Sequence, residues 1–346
     1  MKSIDGSPVI SVVIPTLNSE RTLKECLRSI CSQDYPAEKI EIIIADGGST
    51  DSTRDIVRLV QSDSAVRMAV VPNALKTGEA GKAAGLKSAK GELVAFIDSD
   101  NILPDKGWLK RMVEPFADSE VAGAEPLEYV CRSNDGYITR YCAFLGMNDP
   151  LCLFLGNYDR YSALTGKWTG MPYFAEDMGP WFKLKLDPRR FPTMGANGFI
   201  IRREALGWCQ PGDYLFDIDI ICELLLTRPG IRFAKVKTGI IHVFSGDIRT
   251  FIRKQKRRLR DYRHYNRLGL RKYPWKSVDK AGVLKFVLSC VTVVPLLSQS
   301  ARGYMRRPNS AWLFHPVACW LTLIVYGFGT LTGFLGGELK REGWSQ

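Results

Sequence analysis

Four short apolar, β-branched runs fall within the first hundred residues, each separated from the next by a segment of helical periodicity, and this leaves few folds open to the chain. The runs occupy residues 9–14, 40–45, 67–71 and 93–97. Between them Leu23, Cys26, Leu27 and Ile30 recur at helical spacing, as do Ile56, Val57 and Val60. A small-residue stretch at 79–89 is stopped by Gly91, and Asn18 and Ser19 stand where the first helix needs a cap. Parallel strands require crossover connections, so this alternation predicts an α/β fold with a mostly parallel sheet flanked by helices. Such a sheet collects ligands at the carboxyl ends of its strands. Asp46 and Asp98 each follow an apolar run directly, which places both at that edge.

The rest of the chain changes character twice. From 121 to 242 it is irregular and rich in aromatics and glycine, with Gly195-Ala196-Asn197-Gly198 before a short strand at 199–202 and a helical pattern at 217–226. Residues 249–276 are strongly basic, with Arg253, Lys254, Lys256, Arg257, Arg258 and Arg260 clustered, and they carry much of the net charge of +12. Such a charge calls for an anionic partner. Two apolar stretches follow, 281–297 and 311–337. The second is long enough, at ~1.5 Å per residue, to cross a hydrocarbon core of ~30 Å. The first is near the lower limit and contains Pro295.

Because the basic cluster abuts membrane-length segments and no DNA-binding motif accompanies it, its partner is a membrane surface and not nucleic acid. The flanking Lys/Arg excess places the globular part on the cytoplasmic side. Arg302, Arg306 and Arg307 in the connecting loop nevertheless run against a simple two-span hairpin. Residues 1–9 hold no apolar signal stretch, and the nine cysteines include no C-x-x-C pair, which fits a reducing compartment.

Asp98-Ser99-Asp100 carries the strongest chemical signal. Two carboxylates one residue apart after a buried strand offer oxygen donors to a hard cation, Mn²⁺ or Mg²⁺, that also bridges phosphate oxygens. Alone, the tripeptide is equally a polar turn. Gly78-Glu79-Ala80-Gly81-Lys82 is too short for a phosphate-binding loop and lacks the hydroxyl residue after its lysine.

Taken in order, Val13-Ile-Pro-Thr-Leu-Asn18, Ala45-Asp-Gly-Gly-Ser-Thr-Asp-Ser52 and Lys90-Gly-Glu-Leu-Val-Ala-Phe-Ile-Asp-Ser-Asp100 resemble the family 2 glycosyltransferases of the GT-A fold, over residues 9–242. The resemblance implies that Pro15, Thr16 and Asn18 line the nucleotide pocket and that Asp46 accepts a base N–H. It further implies that Asp98 faces ribose or metal, Asp100 ligates the metal, and His242 contacts metal or diphosphate. Lys82-Ala83 replaces the Arg-Asn of many members, so Lys82 is either a phosphate contact or a solvated helix lysine. Asp217 aligns with the catalytic base, with Phe216 where Glu is usual; the other reading has Asp217 and Asp219 capping a helix. Gln255-Lys-Arg-Arg258-Leu259 departs from the Q-x-x-R-W of processive members at Leu259, and its basic residues are expected on lipid head groups. Trp168, Trp181 and Phe182, near Glu176 and Asp177, are either an acceptor-side lid or core.

The expected organisation is a catalytic domain at 1–245, a basic juxtamembrane segment at 246–280, and two transmembrane segments within 281–346. The resemblance implies a metal-dependent inverting transferase that takes a nucleotide-sugar donor and a lipid-linked saccharide or polyprenyl phosphate acceptor. The competing expectation is a non-catalytic, membrane-anchored nucleotide-binding scaffold.

Overall fold

The computed structural model describes residues 6–209, 212–274 and 279–334; residues 275–278 of the basic segment and 335–337 of the second apolar stretch lie outside them. The N-terminal alternation folds as β1 (Ile10–Thr16), α1 (Leu23–Cys31), β2 (Ile40–Asp46), α2 (Thr53–Ser62), β3 (Arg67–Pro72), α3 (Gly78–Ser88) and β4 (Leu93–Phe96). Next come β5 (Asn101–Ile102), α4 (Trp108–Val113), β6 (Val121–Val130), α5 (Tyr137–Leu145) and α6 (Leu151–Leu155). The middle region closes with β7 (Phe174–Asp177), β8 (Trp181–Lys185), β9 (Phe199–Arg202), α7 (Arg203–Leu206), α8 (Asp217–Thr227) and β10 (Arg232–His242). Four longer helices end the described chain: α9 (Ile248–Arg267), α10 (Lys280–Thr292), α11 (Val294–Arg306) and α12 (His315–Phe334).

The strands form one sheet in the order β3-β2-β1-β4-β9-β6-β10-β8-β7, with β5 added to β10. β1 is buried throughout because it lies between β2 and β4 with helices on both faces. Ile10, Val12 and Ile14 pack toward Leu23, Cys26, Leu27 and Ile30 of α1, while Val13 faces Ala83 of α3. This is the period-2 strand meeting the 3.6-period helix, each buried aliphatic side chain contributing about 1.5–3 kcal/mol.

One expectation about local structure is refined and another needs correction. The sheet is parallel through its N-terminal half and mixed beyond it. β1 to β4 pair in parallel, as do β6 and β10, but β9 runs antiparallel between β4 and β6, and β5, β7 and β8 also pair antiparallel. Only Met178, Gly179 and Pro180 separate β7 from β8, and so short a link makes a hairpin. Asn18 and Ser19 do not cap α1, whose N-cap is Thr22. Asn18 instead adopts φ 50°, donates its backbone N–H to Ser49 Oγ at 2.9 Å and accepts from Thr50 N at 2.9 Å. The turns after β1 and β2 are thereby stapled into one rim.

At the C-terminal end, Ser310–Leu331 is the one described helical run long and apolar enough by itself to cross a bilayer. α10 and α11 qualify only as a pair, bent by 93° at Val293, with Pro295 in the first turn of the second helix.

Candidate active site

The carboxyl ends of β1, β2 and β4 form one edge of the site. Thr16 and Asp46 are register partners at the ends of their strands, and Thr16 Oγ1 donates to Asp46 Oδ1 at 3.3 Å. Asp46 also accepts from Ser49 Oγ at 2.5 Å and from Arg54 Nε at 2.8 Å. Burial alone would raise its pKa, but these donors outweigh burial and hold it below the usual carboxylate value. Asp46 and Arg54 line a cleft of about 560 Å³ together with Gly47, Pro72, Asn73 and Lys76. Asn73 Oδ1 is buried there without a hydrogen-bond partner, while its Nδ2 donates to Thr77 O at 2.9 Å. Arg54 and Asn73 escaped notice in the sequence because they sit in a helix and a turn without a distinctive neighbour.

Pro15 also meets α3 at Gly81. A Cβ on Gly81 would lie 2.6 Å from Pro15 Cβ, so glycine lets α3 press onto the end of β1. This close approach buries Lys82, which is therefore no solvated helix lysine. Its Nζ lies 2.5 Å from Asp217 Oδ2 and 3.8 Å from Asp98 Oδ1. Burial works against the ammonium charge, yet the two carboxylates more than offset it and keep the lysine pKa above its ordinary value. Asp217 shows the opposite balance: burial outweighs Lys82 and pushes its carboxyl up to about 6. Its Oδ1 is buried with no partner.

The helix-capping alternative for Asp217 and Asp219 does not hold, since α8 starts after Phe216 with no side-chain cap. Asp219 instead accepts from Arg271 Nε at 2.5 Å and Lys272 N at 2.8 Å, tying down the segment after α9.

Asp98 and Asp100 diverge from their shared turn. Asp98 N donates to Asn101 Oδ1 at 3.2 Å, and the Asp98 carboxylate is part-exposed beside Lys82. Asp100 Oδ2 faces Lys254 Nζ at 3.1 Å and His242 Nε2 at 3.4 Å. Burial opposes charge on Asp100, but Lys254 and the His242 ring N–H hold its carboxyl well below the usual range. The Asn148 side-chain amide stands 3.2 Å from His242 Nδ1. With the ring proton on Nε2, His242 orients the Asp100 carboxylate; with it on Nδ1, Nε2 presents a lone pair beside Asp100. Among the described residues no three acidic, His or Cys side chains converge as a complete cation cage. The donor set still suits a hard divalent cation that takes two carboxylates and fills its shell with phosphate oxygens.

The Gly195–Gly198 turn joins these parts. Gly195 has φ +116°, and a Cβ there would fall 2.9 Å from the Asp217 backbone. Asn197 Oδ1 accepts from Asn101 Nδ2 at 3.1 Å, and Asn197 Nδ2 donates to Tyr129 Oη at 2.8 Å. Behind the turn, Glu125 Oε2 accepts from Gly195 N at 3.0 Å and pairs with Arg160 at 2.9 Å, while Glu125 Oε1 pairs with Lys235 at 2.5 Å. All three charged side chains are fully buried. Their distance in sequence hides this cluster from any motif.

Several expected surface groups turn inward. Gln255 is buried and donates to Asn148 O at 2.9 Å, and Arg258 Nη1 donates to Gln255 Oε1 at 2.8 Å. These two side chains are tied to the protein through Asn148. Trp168 and Trp181 are core residues, with Lys235 Nζ 4.9 Å from the Trp168 ring centre, so the lid alternative falls away.

Residues 11–168 match the family model described as glycosyl transferase family 2. Glycosyltransferase AglE of Haloferax volcanii is 28% identical over 142 residues, covering 40% of this chain and 46% of the relative. The dolichyl N-acetyl-alpha-D-glucosaminyl phosphate 3-beta-D-2,3-diacetamido-2,3-dideoxy-beta-D-glucuronosyltransferase of Methanococcus voltae is 32% identical over 108 residues, 31% of this chain and 33% of its own length. The chain therefore spans less than half the length of these relatives. Among solved structures, mannosyltransferase PcManGT from Pyrobaculum calidifontis, in complex with GDP-Man and Mn²⁺, has a TM-score of 0.52 at 17% identity, covering 93% of this chain and 88% of that one. The shared architecture is the GT-A fold.

Proposed function

We propose that this chain, which belongs over residues 11–168 to glycosyl transferase family 2, transfers a sugar from a nucleotide-sugar donor to a hydroxyl of a lipid-linked saccharide, with inversion at the anomeric carbon. The observation that carries this reading is Asp217: buried, raised to about 6, with Oδ2 held by Lys82 and Oδ1 unpartnered. A carboxylate so tuned suits removal of a hydroxyl proton, whereas a polyprenyl phosphate is already anionic and needs no base.

In this reading the nucleobase enters the cleft of Asp46 and Asn73, with Thr16, Asn18 and Pro15 shaping its rim. Lys82 sets charge against the diphosphate while orienting Asp217. The acceptor hydroxyl donates to Asp217 Oδ1 and attacks as the bond to the leaving diphosphate breaks. Asp98 and Asp100 would hold Mn²⁺ or Mg²⁺, which when bound would supply further positive charge to that leaving group; the related fold of the mannosyltransferase carries Mn²⁺. Residues 1–245 form the catalytic part, 246–280 the basic juxtamembrane part and 281–346 the membrane attachment, with the site on the cytoplasmic side.

Purified full-length protein is expected to bind one class of nucleotide sugar, seen as a thermal shift that requires Mn²⁺ or Mg²⁺ and vanishes with chelator, and to turn it over with a lipid-linked saccharide. If no nucleotide sugar binds or is hydrolysed with either metal, the chain is a non-catalytic scaffold. A second expectation concerns pH. Asp217 must be ionised to act, so kcat/KM should fall as pH drops through about 6, approaching about tenfold per unit below it. A flat profile between pH 5 and 7 at constant donor saturation would remove Asp217 from the base role.

A further inference from the structure

We infer that the C-terminal helices seat this protein on one leaflet of an anionic membrane without crossing it. The inference rests on the membrane attachment proposed above and gives it a geometry.

A two-span hairpin needs the connection between α11 and α12 on the far side of the bilayer from the catalytic domain. That connection is fastened to the domain instead. Arg306 Nη1 donates to Leu164 O at 2.7 Å and Ala163 O at 3.2 Å, and the Arg307 guanidinium lies 4.6 Å from the Phe144 ring centre. Trp312, just beyond, is buried against Tyr141 and Phe144 at ring separations of 6.3 Å. The arginines that argued against a hairpin in the sequence are therefore docking groups.

A single span by α12 meets a different obstacle. Phe251 of α9 lies 5.4 Å from Phe314, Tyr326 Oη donates to Gln255 Oε1 at 3.0 Å, and Arg263 Nη2 donates to Gly329 O at 2.6 Å. α9 therefore holds this segment just before the first residue of α12 and again at Tyr326 and Gly329. α9 carries Lys254, Lys256, Arg257, Arg258, Arg260 and Arg263. Passing α12 through hydrocarbon would drag this row of cations with it, which the bilayer opposes.

The α10–α11 pair is also too shallow. α10 has 13 residues, a length of about 20 Å against a core of ~30 Å, and the chain turns by 93° at its end. Around that bend Val291, Val294 and Leu297 are 65%, 70% and 55% exposed. On α12, Ile324, Phe328 and Leu331 form an outward stripe at helical spacing, 54%, 69% and 65% exposed. Exposed Arg253, Lys256 and Arg267 on the neighbouring α9 supply the complementary charge for anionic head groups. Apolar stripes beside a basic helix are the signature of a segment lying in the interface.

The test uses full-length protein added to preformed vesicles, either neutral phosphatidylcholine or containing phosphatidylserine. It should float with the anionic vesicles at least tenfold more than with neutral ones and be released by alkaline carbonate. An epitope inserted between Pro308 and Asn309 should be cleaved by protease added outside. An Ile324→Glu, Leu331→Glu double variant should lose at least tenfold in flotation while keeping the parental melting temperature, since both side chains are exposed. Carbonate-resistant protein with a protected epitope would overturn the in-plane seat yet leave membrane attachment standing. Failure to float with either vesicle, or a soluble dimer dissolved by the double variant, would overturn both.

Discussion

Asp217→Asn is expected to lower kcat toward a hydroxyl acceptor by about 10²- to 10⁴-fold, the usual range for a positioned general base, while donor affinity changes little. The substitution keeps shape but removes the charge that faces Lys82 at 2.5 Å. Because Lys82 is buried, part of the effect will be on stability. Breaking a buried pair by removing one partner costs about 3–5 kcal/mol, reduced here by Asp98, which remains within ion-pair range. Pairing the change with Lys82→Met separates the two effects: stability should recover and turnover should not. The acidic limb of the pH profile should also vanish in Asp217→Asn. If the variant keeps more than about a tenth of parental turnover, well above the loss expected for a missing base, the nucleophile is already anionic and the acceptor is a lipid phosphate.

The largest stability effect is expected at Glu125, away from the reacting atoms. Glu125, Arg160 and Lys235 are all at 0% exposure, and Asp159 completes a neutral quartet by pairing with Arg160 at 2.6 Å. Burial draws the Lys235 pKa down to about 8 even with Glu125 beside it. Glu125→Gln leaves one unit of uncompensated buried charge, at a cost of about 3–5 kcal/mol. It also weakens the acceptor of Gly195 N, so the turn packed on Asp217 should loosen. Denaturant unfolding followed by circular dichroism reads the first effect, and a rise in acceptor KM in the surviving folded fraction reads the second. A loss below about 1 kcal/mol would mean that water or a rearranged Asp159 satisfies the cluster.

The N-terminal half was legible because its signals are local. Alternating apolar runs, with Leu23, Cys26, Leu27 and Ile30 one helical face apart, state which side of each element is buried. Asp46 and Asp98 follow strands directly, so the parallel register of β2, β1 and β4 brings their turns to one edge. The C-terminal third was less legible for a related reason. Hydropathy reports how apolar a segment is, not what covers it, and the partners of α12 lie on α5 and α9, remote in sequence.

What the sequence by itself determined is the class of fold, the strand-end position of Asp46, Asp98 and Asp100, and the candidacy of Asp217. The first two follow from periodicity and from carboxylates next to buried strands, and the candidacy of Asp217 from the resemblance to family 2 glycosyltransferases. Only the tertiary structure decided that Lys82 belongs to Asp217, that Lys254 and His242 belong to Asp100, and that Glu125 braces the turn between them. Each pairing joins residues far apart in the chain across a space that water has left. There a charge is stable only beside its opposite, and which opposite it meets is set by packing rather than by any pattern along the backbone.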